Sequence, residues 1–97
     1  MQKKIFVRRK HIKEAEKLRN FGFSNRRCES CPVALALKDA GFKEVQVSSQ
    51  QWSFLNDVND AARIVGTFSR KVTAFIHRAD YYEEVKPFSF IARYWVN

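Results

Sequence analysis

The chain has 97 residues, 45% hydrophobic and 29% charged, with a formal net charge of +8. That length suits one domain with a modest core, and nine Phe and two Trp supply enough apolar surface to exclude a disordered polyelectrolyte. No apolar run approaches the roughly 20 residues of a membrane-spanning helix, and none follows Lys3 and Lys4 as a secretion signal does. No membrane partner and a cytoplasmic location are therefore expected.

Lys4 to Arg9 reads as a short first strand, with Ile5 and Val7 on one face and Phe6 on the other. Residues 11–20 favour a helix in which Ile12, Ala15 and Leu18 make a thin apolar stripe under a charged surface. Gly22, Ser24 and Asn25 mark residues 20–27 as a loop. The clearest signals come next: Ser30 or Cys31 at a cap, Pro32 in a first turn, an apolar run from Val33 to Leu37, and Gly41 past the end. These predict a central buried helix, with Phe42 folding back on its end. Val45 and Val47 alternate with polar residues as a second strand.

Over residues 50–68, Gln51-Trp52-Ser53-Phe54 alternates like a strand, Asn56-Asp57 and Asn59-Asp60 look like turns, and Arg63 to Phe68 suits a return strand. A hairpin is expected there. Ser69 caps a helix over 70–80, in which Val72, Phe75, Ile76 and Ala79 share one face. After Pro87 a last strand sets Phe88, Phe90, Ala92, Tyr94 and Val96 against Ser89, Ile91, Arg93 and Trp95. The expectation is an α+β domain: a small mixed sheet packed with two or three helices, in the order β-α-α-β-β-α-β.

Cys28-Glu29-Ser30-Cys31 allows three chemistries. As half a zinc site it would need His11 and His77, the only histidines, drawn from separate segments. As a redox dithiol it would exploit a helix N-terminus, but the loop ending Asn25-Arg26-Arg27 replaces the buried strand that a thioredoxin-type fold places before its first cysteine. The reading adopted is structural: reduced thiols packing the start of a helix, with no metal and no cofactor. Glycine-rich phosphate loops, His-Glu-x-x-His and nucleophile elbows are absent, and Glu83-Glu84 has no partner base. No catalytic residue is assigned, and a non-enzymatic protein is expected.

The charge is lopsided. Residues 1–27 hold ten basic side chains against two acidic ones, whereas residues 28–97 hold eight of each. Arg8, Arg9, Lys10, Lys13, Lys17, Arg19, Arg26 and Arg27 are the candidate nucleic-acid-binding residues, with Lys13 and Lys17 one helical turn apart. Phe21 and Phe23 interleave with them, either as stacking groups or as loop anchors. Neither a helix-turn-helix nor an RNA-recognition consensus is present, so binding led by the phosphate backbone is expected. An acidic protein surface would answer to the same charge.

The run Cys28 to Leu37, together with His11-Ile12 and the closing Pro87-Phe88-Ser89-Phe90, resembles a family of small uncharacterised bacteriophage proteins with a Cys-x-x-Cys-Pro-Val-Ala helix motif. The resemblance implies a phage accessory protein at work in the host cytoplasm. In that context it would act on host defence or host nucleic-acid machinery. The alternatives to nucleic-acid binding through the basic segment are an inhibitor of a host or anti-phage defence protein and a protein that sequesters a nucleotide signal.

Overall fold

The structure is a computed structural model that describes residues 2–20, 31–48, 50–57, 60–80 and 84–95. Its elements are β1 (Gln2–Val7), α1 (Arg9–Asn20), α2 (Pro32–Asp39), β2 (Lys43–Val47), β3 (Gln51–Asp57), β4 (Asp60–Thr67), α3 (Arg70–Asp80) and β5 (Phe88–Tyr94). The α+β class holds and the elements follow the expected order with one further strand, because the segment 50–68 folds as the anticipated hairpin and contributes both β3 and β4. Among the described residues, three helices lie on one face of a five-stranded sheet ordered β1-β5-β4-β3-β2.

The sheet is antiparallel throughout, which corrects the mixed sheet expected from the sequence. Two connections decide it. Three residues separate β2 from β3 and two separate β3 from β4, and connections that short can only make antiparallel neighbours. The second connection is the longer one, through α3. β4 stops beside the last residues of β5, with Gly66 opposite Tyr94 and Thr67 opposite Arg93. Helix α3 begins just beyond that point and packs Phe75 on Phe88, at the opposite end of β5. The chain therefore enters β5 from its far end and runs back.

Alternation sorts the strands as anticipated. Ile5, Val7, Val45, Val47, Trp52, Phe54, Phe90 and Ala92 are buried under the helices. From α3, Val72, Phe75, Ile76 and Ala79 join them. Helix α2 is the hub, packing against α1, α3, β1 and β2, and Val33, Ala34, Ala36 and Leu37 are buried on it.

Both ends of α2 are built by local chemistry. Cys31 is the N-cap, and its Sγ accepts a hydrogen bond from the Ala34 amide at 3.4 Å, with Pro32 at the first helical position. At the other end the Gly41 amide donates to the Lys38 carbonyl at 3.0 Å and the Phe42 amide to the Leu37 carbonyl at 3.3 Å. That pair of bonds is a Schellman closure, and it needs the left-handed φ of +105° that Gly41 supplies. Phe42 is thereby folded back, as expected, into edge-to-face contact with Trp52, Phe54 and Tyr94, ring centroids 4.8 to 5.4 Å away.

Candidate functional site

Helix α1 starts directly after β1, and it carries most of the described basic candidates, Arg9, Lys10, Lys13 and Lys17. Arg8 sits at the N-cap position: its carbonyl accepts from the His11 amide at 3.0 Å and from the Ile12 amide at 3.3 Å. His11, three residues on, reaches back, and its Nδ1 accepts from the Arg8 amide at 2.9 Å. This is the return half of a capping box, made by an imidazole where glutamate or glutamine is usual.

Because Nδ1 accepts, the ring proton is on Nε2, which donates to Asp39 Oδ2 at 3.1 Å. Lys10 Nζ meets the same oxygen at 2.9 Å. Asp39 is the last residue of α2, where a carboxylate opposes the helix dipole. Its bonds to Lys10 and His11 instead place it at the positive end of α1, and so it ties the two helices together.

Lys10 is the main cause, and His11 the second, holding the Asp39 carboxyl below its usual range. The stabilisation from Asp39 is therefore complete above the unfolded-state value of about 4, and it is lost as the pH falls through the lower folded value. Asp39→Asn should lower the melting temperature at pH 6, and the gap from the parent should close as both proteins are titrated below pH about 4.

A shallow depression between α1 and α2, lined by Lys10, His11, Glu14, Leu35, Lys38 and Asp39, contains this cluster. Both imidazole nitrogens are committed, one as acceptor and one as donor, so His11 presents no lone pair to a substrate there. The same commitments count against His11 as a zinc ligand. His77 is exposed near the end of α3, and Cys31 is buried at the α2 cap. Cys28 lies outside the described residues. Among the described residues no group of three His, Cys, Asp or Glu side chains is placed to hold a metal ion. The described part of the conditional set His11, Cys28, Cys31 and His77 is thus not assembled. A thioredoxin-like reading would also want a strand ahead of Cys28, whereas α1 is the described element before it.

The basic candidates divide by location. Arg8, Arg9, Lys13 and Lys17 are exposed, and no described carboxylate forms an ion pair with any of them. Lys13 and Lys17, one turn apart, lie on the side of α1 away from the buried His11 and Ile12. Lys10 shares its charge with Asp39. Arg19 belongs to α1, but its side chain is outside the described set, as are Arg26, Arg27, Phe21 and Phe23.

Lys3 belongs to the fold: its Nζ donates to the Ala40 carbonyl at 2.7 Å, at the C-terminal end of α2, and sits 5.7 Å from the Phe42 ring centre. Sequence reasoning missed Lys4, Arg63 and Arg93, which share the outward face of the sheet. The alternation of β1 and β5 was the available signal for Lys4 and Arg93.

Among the described residues no helix is long and apolar enough to cross a membrane. Comparison with known proteins finds no matching family model, no similar curated protein and no similar solved structure.

Proposed function

We propose that this protein is a small, non-enzymatic accessory binding protein of bacteriophage type that engages the phosphate backbone of nucleic acid through its N-terminal basic corner. The observation that carries the reading is the exposed set Arg8, Arg9, Lys13 and Lys17, which lacks any described carboxylate partner. Unneutralised cations one helical turn apart match the spaced charges of a polyanion, and their binding energy comes from released counterions. His11 supports the site indirectly, because its bond to the Arg8 amide fixes where the strand ends and the basic helix begins.

The test is the double substitution Lys13→Glu with Lys17→Glu, titrated with nucleic acid at several salt concentrations. Affinity at low salt should fall at least about tenfold, and the slope of log affinity against log salt should become shallower by about two units. Circular dichroism should be unchanged, since both side chains are exposed. Unchanged affinity and slope would remove this surface from the function. Binding only to an acidic protein, with none to nucleic acid, would assign the same cations to an inhibitor of a host or defence protein.

A further inference from the structure

The face of the sheet turned away from the helices is open, and it is both apolar and basic. Phe6 is 50% exposed, Val65 48%, Ile91 43% and Trp95 64%. The strand register brings them together. Lys4 lies opposite Ile91 and Phe6 opposite Ser89, so Phe6 and Ile91 are diagonal neighbours on one face. Gly66 lies opposite Tyr94, and continuing that register by one residue sets Val65 beside Trp95. Arg93, opposite both Gln2 and Thr67, sits between the two pairs.

Cations border these side chains. Lys4 Nζ is 5.4 Å and the Arg8 guanidinium 5.5 Å from the centre of the Phe6 ring. Arg63 lies across β3, its Nε donating to Ser53 Oγ at 3.0 Å and its terminal nitrogen to the Glu44 carbonyl at the β2 bulge. No described side chain at an outward position of β1, β5, β4 or β3 is acidic.

We infer that this face is a stacking platform for single-stranded nucleic acid, on which Phe6 and Trp95 receive bases while Lys4, Arg8, Arg63 and Arg93 neutralise the adjoining phosphates. The inference deepens the backbone-binding reading above and rests on it, since Arg8 joins the platform to α1. Aromatic rings accept any base, and a basic surround tracks the backbone, which together give sequence-tolerant binding of unpaired strands. A second copy of the chain is the poorer occupant. A two-fold contact through this face would bring Lys4, Arg8, Arg63 and Arg93 of both copies into one interface, a cationic excess that Glu44, exposed on the edge strand β2 beside Arg63, does not balance.

Short oligo(dT) and oligo(U) should bind more tightly than a duplex of the same length, because only unpaired bases can stack. Emission from exposed Trp95 should be quenched on binding, over a constant signal from Trp52, which is 1% exposed. Phe6→Ala should weaken single-strand binding roughly tenfold, leave duplex binding unchanged, and be rescued by Phe6→Tyr. Lys13→Glu with Lys17→Glu should weaken both.

Equal affinity for single strand and duplex, with Phe6→Ala without effect, would overturn the platform and leave the basic corner standing. Failure to bind either nucleic acid would overturn both. Sedimentation showing a dimer that Phe6→Ala dissociates would give the face to a second copy. Binding to anionic vesicles but not to oligonucleotides, abolished by Phe6→Ala, would give it to a lipid surface.

Discussion

Gly66→Ala is expected to lower the melting temperature by roughly 10–20 °C, a cost of about 3 kcal/mol in a chain of this size. Gly66 is buried in β4 between Trp52 of β3 and Tyr94 of β5. A Cβ there would fall inside contact distance of the Trp52 ring nitrogen, its neighbouring ring carbon and the Arg93 carbonyl oxygen. The ring is hemmed in by Phe42, Phe54 and Tyr94, with centroids 4.9 to 5.7 Å away, and the carbonyl belongs to a paired strand. Neither obstacle swings aside cheaply. Trp52 Nε1 is buried and has no hydrogen-bond partner among the described residues, so packing rather than a polar bond positions the indole there. Adding Trp52→Phe to Gly66→Ala should recover part of the loss, since it clears the ring atoms but not the backbone oxygen. Thermal melts of the two variants beside the parent check both statements, and an alanine variant that melts with the parent would refute the tight approach.

Leu37→Ala should cost about 3 kcal/mol, lowering the melting temperature by more than about 10 °C. Leu37 is wholly buried in α2, the helix that touches α1, α3, β1 and β2. Truncation leaves a cavity on the buried face of a helix that four other elements pack against. Few side chains can move to fill it, because their own elements are fixed by other contacts. The neighbouring Lys38→Ala should not act this way, since Lys38 is exposed. Chemical denaturation of the two variants separates a packing loss at Leu37 from a general weakening of the helix.

Both substitutions lie on the helix-facing side of the sheet, away from Phe6 and from the outward surface of α1. Each should alter stability far more than it alters nucleic-acid affinity measured below the melting transition. Phe6→Ala and the Lys13 and Lys17 reversals should do the opposite. That contrast separates a scaffold from a binding surface without presupposing the ligand.

Features encoded within about one helical turn or one strand were legible in the sequence. The Pro32 and Gly41 signals bracket α2, and the i, i+3, i+4, i+7 pattern from Val72 to Ala79 is the buried face of α3. The alternation in β5 assigns Phe90 and Ala92 inward and Ile91 and Arg93 outward. The exposure of Lys13 and Lys17 follows from the same local geometry. Local periodicity reports each element's own buried face, since it records which side avoids water.

Tertiary structure decided what depends on partners distant in the chain. In the sequence His11 reads as a conditional zinc ligand, and only its bonds to the Arg8 amide and Asp39 make it a cap. Strand direction was set by where β4 ends relative to β5, which no periodicity encodes. The outward platform joins Phe6 to Ile91 and Val65 to Trp95 through cross-strand register. A one-residue slip in that register would reverse which side chains face water, and register is fixed by packing of the whole sheet against the helices.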